Sequence, residues 1–560
     1  MIEDAERHQL RNFMIRTSVT HIVLLGIQVL PGIQYNNELF TIWAATMAFV
    51  LLSKFLRPFI LALTLPLTIT TGGLFIFVID GIMLLLTDLF TGLEIANFGW
   101  AILGSIVMSV MNIWVQSGFK RLGWLERDDE DDPQEIGEPG VLLKILLGIG
   151  LLFGILFSFS TASQVGLALS TITGSLWLLG AASLLTLALV IYGVAWLIAE
   201  GYESDRRARF GVLVSGLTTL AAAITLWIVL TWPVPTPTHV EPPADTEYWQ
   251  LSTGSRLAYY PYPAQGTPQE TPIIFLHDGP GLAVLDYDRA FYRQFAKVGF
   301  DVYLYDQVGT GHSERLDNIQ DYGMTRNLAD LDAVRSILGV NEMILIGHGA
   351  GAELAARYLS RYPERVKQII LHAPTPLVND DQIFYNYVLT ASPIGPNPVF
   401  EPRLALAAGL ATYGPDAAEK LATQAEMSLL MEESFNTGTL VCSQQADEIP
   451  DIGTTNFNTY VQIQTDYDAE TLPDPRPALK DNLTPSLILA SECDYVPWTV
   501  IQQYTDALLS EKLFYIDNAG HAIHLTRSQL AAHIIRAFLL GTAYPIEPYA
   551  DGNPRPLLSP

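Results

Sequence analysis

Several residues fit for proton transfer stand just past apolar runs of this chain. His277-Asp278-Gly279-Pro280-Gly281 follows the run Pro272–Leu276, and Asp306-Gln307 follows Phe300–Leu304. Asp494 and His521 each come shortly after a later run, at Ser486–Leu489 and Lys512–Ile516. A carboxylate and an imidazole brought together are a common means of moving a proton during a reaction. Between these pairs lies Gly347-His348-Gly349-Ala350-Gly351, a glycine-rich turn joining the run Met343–Ile346 to a helix. A hydroxyl or thiol at the tip of such a turn would be a nucleophile, activated by a neighbouring base. The tip is Gly349, which has no side chain. The chemistry for moving protons is therefore present, and the atom that would form a covalent bond is missing.

Positioning these residues requires a sheet. The runs at 272–276, 300–304, 343–346, 368–371, 486–489 and 512–516 read as buried strands, with an opening hairpin at 248–262. Helical patterns at 326–338, 352–360 and 528–540 alternate with them, which implies a mostly parallel sheet flanked by helices. Residues 376–475 have many Pro and Gly and no strand rhythm, and are expected to form a helical cap. The core is then expected over 248–375 and 476–545, with a tail at 546–560.

The first 232 residues have a different composition. The chain is 49% hydrophobic and only 16% charged over its 560 residues, and ordinary soluble domains are roughly 25% charged. The charge deficit falls almost wholly before residue 233. Apolar runs at about 17–33, 38–53, 66–88, 97–117, 141–160, 172–199 and 210–232 approach the roughly 20 residues that cross a bilayer. Seven spans are expected, within one. All 12 Lys and Arg of residues 1–239 fall in the N-terminus and in alternate connections, near 54–57, 120–144 and 206–209. The positive-inside rule then places everything after Trp232 outside the cytoplasm. No cleavable signal peptide is evident, and Arg7, Arg11 and Arg16 precede what reads as a retained first span. A charged cytoplasmic linker is expected at 121–140, three further spans over 141–232, and a proline-rich spacer at 233–247.

From residue 240 onward there are 19 Lys and Arg against 40 Asp and Glu. Such an acidic domain argues against nucleic-acid binding, which needs clustered cations. Cys442 and Cys493 are the two cysteines. They cannot build a cysteine metal site, and whether they pair is left open by the sequence. No metal or cofactor is expected. The expected partners are the lipid bilayer and a small-molecule or peptide ligand.

Two resemblances follow from these motifs. Leu56-Arg57-Pro58, Leu65-Pro66-Leu67-Thr68-Ile69-Thr70, Gly72-Gly73-Leu74-Phe75, Gly92-Leu93 and Phe98-Gly99-Trp100 resemble phage holin family 4, which implies a four-helix membrane unit over residues 1–120. Asp80 would lie within its third span, where an ionisable group is either a packing residue or functional. The segments 277–281, 305–313 and 347–351, with Asp494 and His521 in the order elbow, Asp, His, resemble the proline-iminopeptidase-like α/β-hydrolases over about 245–545. That resemblance implies that Asp494 orients His521 and that His521 is the base for an elbow serine. It also implies that the N–H groups of Gly279 and Ala350 form the oxyanion hole. His277, Asp306, Gln307, His348 and Ser313 would support the motifs.

Two departures stand out. Position 349 has glycine in place of the serine, whose loss costs on the order of 10⁶ in turnover. Asp278 replaces a glycine of the family pattern and sets a carboxylate beside a hole meant for negative charge. One expectation is a membrane-anchored, extracytoplasmic hydrolase of altered mechanism. The other is a pseudoenzyme whose outward-facing domain binds or senses a ligand.

Overall fold

The computed structural model describes residues 75–91, 93–121, 141–201, 206–234, 240–378, 401–434, 440–442 and 456–549, with scattered earlier positions that include 39–57. The expected linker at 121–140 and tail at 546–560 lie almost wholly outside these residues. So do 379–400, 435–439 and 443–455 of the expected cap. The chain divides into two compact units, one of 1–169 with 177–227 and one of 170–176 with 228–560.

The first unit is helical. Helices run over Leu39–Phe55, Phe75–Phe90, Phe98–Arg121, Val141–Ser170, Leu176–Gly201 and Arg207–Leu230. Among the described residues, two are both long and apolar enough to cross a membrane, Leu176–Trp196 and Arg207–Leu230. The seven expected spans are thus matched only in part. The helix Phe75–Phe90 has 16 residues, a rise of about 24 Å against a hydrocarbon core of about 30 Å. The first part of that apolar run, 66–74, lies outside the described residues. Asp80 is held by the fork of Arg57, Nε to Oδ1 at 3.0 Å and Nη2 to Oδ2 at 3.1 Å. This bidentate pair gives the carboxylate its counter-charge among apolar neighbours.

The second unit is built on an eight-stranded sheet. Its strands are β1 (Glu247–Gln250), β2 (Arg256–Tyr262), β3 (Ile273–Leu276), β4 (Val302–Tyr305), β5 (Met343–His348), β6 (Val366–His372), β7 (Ser486–Ser491) and β8 (Glu511–Ile516). Their spatial order is β8-β7-β6-β5-β3-β4-β2-β1. Strands β3 to β8 are parallel, and the opening hairpin adds antiparallel at the β4 edge.

The buried strands are continuous apolar runs because both faces of the sheet are covered. Alternate residues feed two cores. Ile274, Leu276, Leu345, Ile369, Leu371 and Ile488 face one, which also contains Leu331 of α2 (Met324–Ile337) and Leu354 of α3 (Ala350–Arg361). Ile273, Phe275, Ile344, Ile346, Leu487 and Phe514 face the other, with Phe291 of α1 (Asp286–Tyr292) and Ile534 of α4 (Ser528–Leu540). Between β6 and β7 the described residues of the expected cap include helices at Pro402–Ala411, Pro415–Leu421, Gln424–Ser434 and Thr459–Thr471.

Candidate functional site

In an open parallel sheet the strand order reverses at one point, and ligands bind beyond the carboxyl ends of the strands there. Here the chain steps from β3 to β4 on one side, then returns to place β5 on the other side of β3. Asp278 lies just past β3, Gly349 just past β5, Asp494 past β7 and His521 past β8. The structure brings these four positions together.

The elbow is a close-packed turn. A side chain at Gly347 would run into Gly351 and Ala352, and one at Gly351 into the carbonyls of Leu276 and His277. Both glycines let α3 approach β3 and β5 closely. Gly349 has φ 54° and ψ −119°, in the positive-φ region that residues with a Cβ rarely enter. A Cβ built at 349 would fall inside the Asp278 carboxylate. The space that an elbow side chain would use is filled by a side chain from the neighbouring strand end.

Asp278 is bonded on both oxygens. Gly279 N–H donates to Oδ1 at 2.7 Å and Ala350 N–H donates to the same oxygen at 3.1 Å. These are the two groups that the family resemblance implies for the oxyanion hole. Oδ2 meets His521 Nε2 at 3.1 Å. On its other side, His521 Nδ1 meets Asp494 Oδ1 at 2.9 Å. The imidazole thus lies between two carboxylates. Burial of the ring would lower its pKa, but Asp494 and Asp278 together raise it to about 10. Burial would raise the pKa of Asp278, and the His521 charge overrides this and holds it below the usual carboxylate range. The upward shift of His521 and the downward shift of Asp278 favour an imidazolium–carboxylate pair between these two residues. The His521 side chain is fully buried and Asp278 retains 13% exposure, so the carboxylate is the member a ligand can reach.

Further residues fix these groups in place. His277 lies with Nδ1 2.7 Å from the Asp278 carbonyl, while its Nε2 accepts the Gln307 N–H at 2.9 Å. Asp306 accepts the N–H groups of Val284 and His312, at 2.8 and 2.9 Å, and the Tyr260 hydroxyl. Ser313 donates to the Asp306 carbonyl. His348 Nε2 lies 3.2 Å from the His521 carbonyl, and burial lowers its pKa to about 4. Each of these contacts orients backbone or turn. Sequence reasoning missed Tyr495. Its ring stacks on His521 at 4.5 Å and its hydroxyl lies 3.3 Å from Nε2. Adjacency to Asp494 was the available signal, but side-chain direction in a loop is not periodic.

Cys442 and Cys493 are joined in a disulfide, which resolves a pairing the sequence left open. The bond ties the segment 440–442 to the loop carrying Asp494. The Ala522 N–H also donates to the Leu440 carbonyl at 2.9 Å, so the same segment braces the His521 loop. In the expected cap, Glu426 is engaged by Arg403 and the Thr423 N–H.

Two clusters bring metal-ligating atoms within 4.8 Å of one another, His348-His372-His524 and Asp278-His348-His521. In the first, His372 Nε2 accepts the Ile523 N–H at 3.2 Å, so its proton sits on Nδ1 and a metal there would have to displace it. In the second, both ring nitrogens of His521 already meet carboxylate oxygens, Nδ1 that of Asp494 and Nε2 that of Asp278. Neither set fits a metal as arranged.

Fold and site together define an α/β-hydrolase-type domain with a carboxylate beside its elbow. Residues 271–528 match the family model of the alpha/beta hydrolase fold, and residues 11–114 that of the Mycobacterial 4 TMS phage holin, superfamily IV. The protein joins a holin-like N-terminal domain to an α/β-hydrolase domain, and the hydrolase part is related to the proline iminopeptidases. It is 34% identical over 133 residues to the proline iminopeptidase of Heyndrickxia coagulans, covering 23% of this chain and 44% of that protein. Against the proline iminopeptidase of Neisseria gonorrhoeae it is 30% identical over 133 residues, 24% of this chain and 41% of that protein. The chain spans less than half the length of these relatives. A solved thermophilic esterase from Thermogutta terrifontis aligns at 18% identity and a TM-score of 0.39, covering 53% of this chain and 99% of that one.

Proposed function

We propose that this protein is a membrane-anchored hydrolase whose α/β-hydrolase domain lies outside the cytoplasm and works without a serine nucleophile. The observation that carries the reading is the Asp278 carboxylate, bonded at once to His521 and to the N–H groups of Gly279 and Ala350. Asp494, His521 and both hole donors are retained around an elbow position, 349, that bears no side chain of its own. The outward orientation is supported by the alternation of Lys and Arg between connections. It is supported again by the Cys442–Cys493 disulfide, because such bonds persist in oxidising compartments.

The second reading is a ligand-binding pseudoenzyme. The observation favouring it is the same ion pair, which holds His521 protonated and therefore unable to act as a base at rest. Full-length protein in detergent micelles separates the two. A hydrolase turns over at least one of p-nitrophenyl acetate, proline-β-naphthylamide, bromobutane or styrene oxide, with loss of turnover in His521→Ala. A fluorophosphonate labels neither wild type nor variant under the serine-free reading. Labelling of any serine in the domain would sink that part of it.

A further inference from the structure

The missing nucleophile and the extra carboxylate occupy one space, since a side chain at Gly349 would overlap the Asp278 carboxylate. We propose that Asp278 is itself the nucleophile, supplied from the end of β3, and that its substrates react at a saturated carbon bearing a leaving group, as in an alkyl halide or an epoxide. This rests on the reading of the domain as a hydrolase.

The argument turns on what the oxyanion donors hold. An acyl substrate needs N–H donors for the negative charge that forms on its own carbonyl oxygen. Gly279 and Ala350 already donate to Asp278 Oδ1. An ester or peptide would find its hole occupied by the attacking group. Displacement at a saturated carbon develops no oxyanion on the substrate carbonyl, so it has no use for those donors in its first step. They serve the second step, when the tetrahedral charge forms on Asp278 itself.

The bookkeeping of bonds is closed. Asp278 Oδ2 donates an electron pair to the substrate carbon, forming a C–O bond. The carbon–leaving-group bond breaks with its electrons on the leaving group. A halide departs as an anion, and an epoxide oxygen takes up a proton from water. The ester of Asp278 is neutral, so His521 loses one of the two charges that keep it protonated and releases its proton to water. The neutral ring, still oriented by Asp494, then removes a proton from a water molecule that attacks Asp278 Cγ. Charge forms on Oδ1, where the two N–H donors already point. Collapse breaks the bond to the alkyl oxygen, which leaves as an alcohol with the proton from His521. The Asp278 acid then returns its proton to His521. The net reaction is hydrolysis, with no other reactant.

The test uses the full-length protein in micelles, with bromobutane and styrene oxide as separate probes, in heavy-oxygen water. Peptide mass spectrometry then follows Asp278. Wild type is expected to take up heavy oxygen into the Asp278 carboxylate. His521→Gln is expected to accumulate the alkylated Asp278 ester, and Asp278→Asn to lose both signals. The probe that labels identifies the leaving-group class. If circular dichroism shows folded protein and neither probe leaves an alkyl group or heavy oxygen on Asp278, the proposal is overturned. If p-nitrophenyl acetate is then hydrolysed in a His521-dependent way, the hydrolase reading stands without this nucleophile. If no probe is turned over, both fall.

Discussion

The loop after β5 and the loop after β3 depart from the related pattern in opposite directions, one losing a side chain and the other gaining one. The first, Gly347–Gly351, keeps the backbone of an elbow down to a positive φ at Gly349, yet presents no side chain. The second, His277–Gly281, has a carboxylate at Asp278 where the related pattern has glycine. Either departure taken alone reads as damage. Taken together they leave the space beside His521 filled and add a negative charge there, because the carboxylate enters the space an elbow side chain would use. A reacting group is defined by where its atoms sit, and two strand ends that meet at one crevice can each supply it.

The largest expected effect breaks the second loop. Asp278→Asn leaves the packing nearly unchanged and is expected to lower turnover of any accepted probe by on the order of 10⁴–10⁶. Steady-state rates check this, and an unchanged rate would assign the Asp278 carboxylate a purely structural role.

Next comes the brace on the loops that carry Asp494 and His521. Replacing Cys442 and Cys493 by Ala removes a cross-link over a sequence separation of 51. Loop-closure entropy predicts a loss of about 4 kcal/mol. Chemical denaturation of the oxidised protein and the double variant measures it.

Restoring the first loop by itself should fail. Gly349→Ser forces a Cβ into Asp278 and into a positive-φ backbone, with a stability loss of about 1–3 kcal/mol. Fluorophosphonate labelling stays absent. Adding Asp278→Gly frees the space and the hole donors, and labelling at position 349 is expected to appear. Labelling of the single Gly349→Ser variant would show that the two loops are independent.

The remaining effect is in the pH dependence. The pKa of His521 is raised from 6.5 to about 10 in the folded protein. Its contribution to stability is therefore fully present below pH 6.5 and is lost as pH rises from 6.5 through about 10. Asp278 is shifted down, so its contribution is present above the usual carboxylate range and is lost as pH falls below it. In Asp278→Asn the alkaline loss should still begin near pH 6.5 but be complete at a lower pH, because one of the two charges that raise the His521 pKa is gone. Denaturation midpoints between pH 6 and 10 test the sign.

Much of this was legible in the sequence, and for local reasons. Continuous apolar runs such as Ile273–Leu276 and Ser486–Leu489 mark strands covered on both faces, and their alternation with helices implies parallel order. Gly347 and Gly351 mark a turn where backbones approach within the reach of a Cβ. The apolar helices before residue 233 were legible for the same kind of reason, although over the described residues only two of them are both long and apolar enough to cross a bilayer. Tyr495 and the histidines around His521 were harder to place, because loop side chains follow no period and their directions depend on what packs beside them.

The sequence by itself determined that Gly349 has no nucleophilic atom and that Asp278 adds a charge 71 positions earlier. It did so because residue identity and strand–turn–helix order are local properties of the chain. Only the tertiary structure decided that these two changes concern one volume. Asp278 Oδ1 meets Ala350 N–H, and Oδ2 meets His521, because β3 lies between β5 and β4 in the sheet. That adjacency is a long-range consequence of strand order, and it makes the charge a partner of the hole donors instead of an obstacle beside them.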